Sequence, residues 1–435
     1  MPQAIASSTP SVVSDPADEV PQIEKVVTEP QLPAADIGFT PWLQVLGGFF
    51  LMFNSWGILV SYGSFQAYYT SGGGITDEHN PSNIAWIGSV EALLTLLGAA
   101  LAGKWFDAGY FRFLAIIGTF FTVFGLMMTS LATKYYQVML AQGVVTGAGM
   151  ALFCVTSVAL PSTWFVAHRG LAVGIVSTGA SVAGIIYPIM FHQLLPQVGF
   201  PWTVRIMGFL VLGTLMISIA VLRQRLPPKK RAGLLDWESF KQVEFALYTA
   251  GIFVSFLGFF NLLSYVQPWI TAEDLDTKGL PAFYVLPIIN AASIIGRTVP
   301  NYISDHIGPL NVQVPGSLIA GILVLCWLPV HSIGGLLTIG ILYGIFSGTL
   351  ISILPPAIAS MTSDMTRFGA RTGVIFAALA FGSLIGTPVT GALVQSQHGS
   401  YDGARIWSGV CLVAGSVLIF FSRMIKAHWA LMVKV

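Results

Sequence analysis

The chain has 435 residues, of which 54% are hydrophobic and 9% are charged, with a formal net charge of +1. A typical soluble domain carries roughly 25% charged residues, so this composition excludes an ordinary water-facing surface and points to lipid. The near-zero net charge offers nothing to attract nucleic acid, and none is expected as a partner.

Residues 1–36 are rich in Pro, Ser, Asp and Glu and contain no apolar run. They read as a disordered acidic tail without the basic start and apolar core of a secretory signal. The first membrane helix is therefore expected to act as the signal itself. Downstream, apolar stretches of about 20 residues recur, each long enough to cross a bilayer. In chain order they lie near 42–69, 83–103, 113–132, 135–160, 170–195, 203–222, 244–269, 282–303, 313–331, 333–356, 372–395 and 402–426. This defines an all-α membrane protein with twelve transmembrane helices and short, antiparallel connections. Residues 37–222 form an N-terminal six-helix bundle, 223–243 a linker, 244–426 a C-terminal six-helix bundle, and 427–435 a short tail.

Orientation follows the excess of Lys and Arg on cytoplasmic segments. With the N-terminus inside, Lys104, Arg112, Arg169, Arg223, Arg225, Lys229, Lys230, Arg231, Lys241, Arg367, Arg371, Arg423, Lys426 and Lys434 fall on the cytoplasmic side. Lys134, Arg205, Lys278 and Arg405 fall outside. Both termini are thus expected in the cytoplasm, and the plasma membrane is the expected location. The basic loop "RQRLPPKKRAG" divides the two bundles and serves as a topology determinant.

The two halves repeat one another. "GKWFDAGYFR" after span two places Gly103, Asp107, Gly109 and Arg112; "NYISDHIGPLN" after span eight places Asp305 and Gly308. The Gly143/Gly147 pair of span four recurs as Gly340/Gly344 in span ten, and Arg169/Gly184 of span five as Arg371/Gly386 of span eleven. All three landmarks share one period of about 200 residues, a self-similarity that marks an internal repeat. Parallel six-span repeats build the major facilitator fold, with the substrate site at the midplane between the halves.

The "G-x-x-x-D-x-G-x-x-R" loop is similar to the signature of the major facilitator superfamily, although Ala108 stands where a basic residue is usual. That resemblance implies a conformational latch on the cytoplasmic side, with Gly103, Asp107, Gly109, Arg112, Arg169 and Asp305 as its candidates. "WFVAHRGLAVGIVSTG" resembles the span-five motif of the monocarboxylate porter family through Trp164, Phe165, Arg169, Leu171, Ala172, Gly174 and Gly179. A second motif before span one survives as Asp36, Gly38 and Trp42, with Ile37 at a Gly position. "PWLQVLGGFFLMFNSWGILVSYGSFQ" looks like the fungal branch. In that family a span-one Lys and a span-eight Asp–Arg pair handle substrate anions. Arg297 matches the Arg, but Ser293 and Val60 stand at the other two positions. A lactate-type proton symport therefore does not carry over intact.

Within the spans, a charged group costs about 2.5–3.5 kcal/mol at a helix centre on insertion scales. Arg297 can hold a carboxylate through two parallel hydrogen bonds or serve structurally by snorkelling or ion pairing. Glu91, nine residues into span two, is either the proton-coupling group or a packing Glu bonded to a neighbour. Asn54 and Tyr62 on span one, Asn261, Tyr265 and Gln267 on span seven, and Asn290 on span eight are candidates for lining the cavity, as is His192. Interhelical hydrogen bonding is the competing role of each.

These features describe a secondary carrier that moves a small organic anion of monocarboxylate type, or a related small metabolite, by alternating access. Export of a larger fungal metabolite and a transporter-derived sensor without flux are the alternatives. A channel would need a polar stripe or a charged ring. An enzyme would need clustered catalytic groups, whereas His79, His168, His192, His306, His331, His398 and His428 are scattered. No cofactor or metal is expected. Cys154, Cys326 and Cys411 read as buried free thiols. The expected partners are a small-molecule substrate, protons as the candidate coupling ion, and the bilayer around a functional monomer.

Overall fold

A computed structural model describes residues 38–72, 80–165, 169–225, 237–273, 275, 279–362, 367–430 and 433, except the side chains of Lys104, Asp107, Arg169 and Trp237. The acidic tail, most of the basic loop "RQRLPPKKRAG" and His168 lie outside the described residues. The described chain is helical, without strands. Its spans are α1 Phe39–Thr70, α2 Pro81–Gly103, α3 Phe111–Thr129 and α4 Tyr135–Ser162. A 53-residue helical run, Arg169–Val221, follows. At 1.5 Å per residue it would reach about 80 Å, more than twice a hydrocarbon core. Gly199 breaks it with φ 74° and ψ 169°, between Pro196 and Pro201. Residues 169–198 are therefore α5 and 200–221 are α6. The second half supplies α7 Val243–Ala272, α8 Ala282–Ile307, α9 Pro309–Cys326, α10 Ile333–Ser352, α11 Phe368–Ser396 and α12 Asp402–Lys426.

Two boundaries differ from those expected. α9 starts at Pro309 rather than near 313 and ends by Cys326 rather than 331. Pro309 is preorganised for a first helical turn, and Gly308 before it (φ 99°) closes α8. Cys326, at the end of α9, is exposed, not buried; Cys154 and Cys411 are buried. Apolarity alone had suggested three buried thiols, but it does not distinguish a lipid-facing position from an interior one.

Three spans are irregular inside. In α1, Ser55 leaves helical geometry (φ −105°, ψ −84°). Asn54 and Ser55 both bond back one turn, to the carbonyls of Phe50 and Leu51, a competition that bends helices. In α4, residues Met139–Thr146 form a π-helix, with Thr146 Oγ1 donating to the Ala141 carbonyl at 3.1 Å. α10 is interrupted at Ile353 and continues as Leu354–Ser360.

In lipid, helices associate by close packing of small residues and by hydrogen bonds. α1 packs on α5 and α6, α2 on α11, α5 on α8, α8 on α10, and α7 on α11 and α12. At Gly63 the α1 backbone meets the Leu263 carbonyl of α7 so closely that a Cβ would collide. Gly296 does the same on α8, against the Ile345 carbonyl of α10. Phe113, Ile116 and Phe120 on α3, and Val410, Val417 and Phe421 on α12, are exposed and form an apolar outer face.

Gly296→Ala is expected to push α8 off α10 and destabilise the fold by about 1–3 kcal/mol or more. Gly213→Ala, where nothing lies within 4 Å of the added carbon, should be neutral. Thermal unfolding of the two purified variants checks the contrast.

Candidate translocation cavity

The start of α1, the end of α6, the start of α7 and the end of α12 mark one end of the bundle, beside residues 223–225 and 237–243. Gln44 Nε2 donates to the Val221 carbonyl at 3.1 Å, and Ser422 Oγ to the Glu244 carbonyl at 2.6 Å. This is the linker end; the opposite is the far end. A cavity of about 350 Å³ runs from the middle of the bundle toward the linker end. Met52 and Trp56 of α1 flank the Ser55 break and form one wall. Cys154, Val155 and Val158 of α4 and Ser177 of α5 continue it, and Phe376 of α11 faces them. Ile351, Ser352, Leu354, Pro355 and Pro356 supply the α10 side, so residues flanking the second helix break also border the space. The lining is mainly apolar, with scattered hydroxyls and one acid, Asp305, toward the linker end. No Lys, Arg or His lines it among the described residues.

A second crevice, of about 420 Å³, lies at the far end, lined by Ser64, Tyr68, His192, Gln267, Phe283 and Tyr401 among others. His192 stacks on Phe283 with ring centroids 3.5 Å apart. Between crevice and cavity the two halves touch. Trp56 stacks on Phe260 at 6.5 Å, the Ser181 and Ser293 hydroxyls lie 2.6 Å apart, and Asn290 Nδ2 donates to the Gly184 carbonyl at 3.3 Å.

The contacts between halves differ from pair to pair. α2 and α11 are hydrogen-bonded toward the far end: Ser82 Oγ to the Pro388 carbonyl at 3.1 Å and Ser89 Oγ with Thr387 Oγ1 at 3.2 Å. Asn80 Nδ2, at the start of α2, donates to Gln395 Oε1 at 3.0 Å. Toward the linker end, Gly103 has nothing within 4 Å of a would-be Cβ. α5 and α8 instead stay together along their length. Asp305 lays its carboxylate against Gly170 in the first turn of α5, where a helix N-terminus attracts negative charge.

Most residues singled out in the sequence are engaged between helices rather than facing the cavity. Arg297 is 2% exposed, donates through Nη1 to the Ser177 carbonyl at 3.3 Å, and has no partner for Nε. It sits one layer behind the wall that Ser177 forms. Asn54 Nδ2 donates to Thr214 Oγ1 at 2.8 Å, and its Oδ1 accepts from the Tyr187 hydroxyl at 2.8 Å. Asn261 in the other half does the equivalent, donating to Ser408 Oγ at 2.8 Å. Tyr62 donates to the Ile84 carbonyl at 2.7 Å and Tyr265 to the Thr387 carbonyl at 3.2 Å. Gln267 lines the far crevice with Oε1 unpartnered.

Glu91 is fully buried, and neither carboxylate oxygen has a hydrogen-bond partner. Tyr62 and Tyr69 of α1 and Gln142 of the π-helix surround it; Gln142 approaches without full hydrogen-bond geometry, its Oε1 accepting from Tyr69 at 2.9 Å. Of the latch candidates, Gly109 turns the chain at φ 93° and Arg112 lies 5.9 Å from the Phe111 ring centre. The side chains of Asp107 and Arg169 lie outside those described.

Cavity residues that the sequence reading missed cluster at the two breaks. The signal was present: "FNSWG" in α1 and "ILPPA" in α10 are interrupted apolar runs, and such interruptions mark binding regions in transporters.

A helical bundle with an internal cavity between two joined halves is the build of a membrane carrier. Residues 45–350 match the Major Facilitator Superfamily, and the chain belongs to it. It is 41% identical over 383 residues to the MFS-type transporter dbaD of Emericella nidulans, covering 88% of this chain and 86% of that protein. It is 34% identical to the aspyridones efflux protein apdF of the same organism, over 93% of this chain and 82% of the relative. Against the agnestins efflux protein AgnL12 of Paecilomyces divaricatus it is 33% identical, over 91% and 90%. The fold matches the Escherichia coli fucose:proton symporter FucP with a TM-score of 0.59 at 14% identity, covering 88% of this chain and 98% of that one.

Proposed function

We propose that this chain is a secondary carrier that exports a small, weakly polar fungal metabolite by alternating access. The cavity carries the reading: its walls are apolar, its polar groups are mostly hydroxyls, and no cationic side chain lines it among the described residues. Such a surface favours a ligand with a largely apolar body and a few fixed polar contacts. Relatives named as efflux proteins at 33–34% identity support the direction. The termini and linker face the cytoplasm on this reading, and the cavity takes its cargo from there. The plasma membrane is the matching location. Asp305 at the α5 N-terminus and the Gly103–Arg112 loop form the latch that closes this side when the far end opens.

Val155→Trp is expected to fill the cavity and abolish flux while leaving the protein at the membrane. Proteoliposome uptake of a panel of weakly polar aromatics, set against lactate and benzoate, tests this. Saturable, trans-stimulated flux of the aromatics supports export of such molecules; flux of the anions alone overturns it.

Glu91 is the proton-coupling group on this reading, because it is a fully buried carboxyl with both oxygens unpartnered. Glu91→Gln should flatten the response of flux to a pH gradient without abolishing exchange. Unchanged pH dependence in the variant would rule the role out.

A second reading, carriage of an organic anion in a monocarboxylate porter-like branch, rests on Arg297 and its unpartnered Nε behind Ser177. It requires Arg297→Lys to cut anion flux about tenfold or more by losing the bidentate contact, with normal membrane targeting. Normal affinity and flux in that variant would sink it.

A further inference from the structure

The break in α10 leaves a set of oxygens unsatisfied on the cavity wall. Backbone hydrogen bonds run from the Ile353 N–H to the Thr349 carbonyl at 3.2 Å and from the Ala357 N–H to the Ile353 carbonyl at 2.9 Å. The Ser352 carbonyl falls between them. Its helical donor would be the N–H of residue 356, and a tighter turn would use residue 355. Both are proline, which has no N–H to give. The Ser352 side chain adds a second oxygen: Oγ has no partner, in a residue only 2% exposed. Buried polar groups left unpaired are costly, and irregular backbone at membrane depth is tolerated where it lines a cavity. Ser352 lines the cavity, with Met52, Trp56, Ile351 and Leu354 as apolar surroundings.

We propose that Ser352 is the specificity-determining acceptor of the cavity, and that the transported molecule docks a neutral hydrogen-bond donor, a hydroxyl or N–H group, on its carbonyl and Oγ oxygens. This rests on the cavity being the transport site and names the chemistry of its cargo. Two oxygens are too few to strip and hold a metal cation, which takes about six or more. A carboxylate could accept from the Ser352 hydroxyl but would face the carbonyl oxygen with another acceptor, so a neutral donor fits the pair better. A hydroxyl on an aromatic or aliphatic body satisfies the orphaned oxygens while the rest of the molecule fills the apolar space. The substrate thus completes the hydrogen bonding that Pro355 and Pro356 interrupt.

Mending the helix should spoil recognition. Pro356→Ala returns an N–H four residues after Ser352 and occupies its carbonyl. Ser352→Ala keeps the break and removes Oγ. Thermal stabilisation of the purified full-length protein in detergent reports the half-saturating concentrations of resorcinol and of 1,3-dimethoxybenzene, its dimethyl ether. The preference for resorcinol over the ether, relative to the unaltered protein, should fall about threefold to tenfold in each variant, the usual worth of one hydrogen bond. Affinity for the ether should stay unchanged, which shows that the cavity is intact. Should Pro356→Ala lose both compounds, Ser352→Ala decides. A resorcinol preference unaltered in Ser352→Ala overturns the proposal while leaving the carrier reading in place. Failure of either compound to stabilise the unaltered protein, or stabilisation that survives the cavity-filling Val155→Trp, overturns the cavity reading and this inference together.

Discussion

Every polar group that this chain buries must find its partner within the protein, because lipid offers none. That constraint organises the bundle. Asn54 ties α1 to α6 through Thr214, and Asn261 ties α7 to α12 through Ser408. An asparagine makes the same kind of tie in each half. Tyr187 completes the first of these networks. Where the rule is met, the result is a rigid helix pair. Among the described residues the rule is broken at Glu91, Arg297 Nε and Ser352, and also elsewhere, for example at Asn261 Oδ1, Trp269 Nε1 and Arg405 Nε.

Glycine sets the distances that make those bonds possible. Gly63 meets the Leu263 backbone and Gly184 the Asn290 side chain, and both bring the halves into close contact in the middle of the bundle. The two helix pairs that join the halves then behave differently. α2 and α11 are bonded at the far end through Ser82 and Ser89, while α5 and α8 run together from Asn290 to Asp305. The cavity facing the linker end opens between α1, α4 and α5 of one half and α8, α10 and α11 of the other. A carrier needs contacts that can be exchanged for others at modest cost, and small-residue packing with single hydrogen bonds meets that need.

The helix breaks link this architecture to chemistry. A regular helix presents only side chains to a cavity, since its backbone is fully used. The interruptions at Ser55 and Ile353 occur where α1 and α10 border the cavity, and the Pro355–Pro356 pair withholds two donors there. An otherwise apolar chamber thereby gains polar atoms at fixed positions. Among the described residues its wall carries hydroxyls and one carboxylate and no cation.

Much of this was legible in the amino-acid order. The apolar runs, the repeat of Gly103–Arg112 around Asp305 and the span-five motif led to the major facilitator fold, because the bilayer imposes length and hydropathy residue by residue. The pairing of the polar side chains was not legible. Asn54, Asn261, Tyr62 and Tyr265 read equally as ligand contacts or as helix ties, and Arg297 as an open cation or one turned onto the Ser177 carbonyl. Cys326 looked like Cys154 in sequence, yet one faces outward and the other the cavity. Composition and spacing determine that a segment crosses the membrane. Which face of it meets lipid, a neighbouring helix or the cavity was decided only by tertiary packing, because that depends on helices distant in the chain.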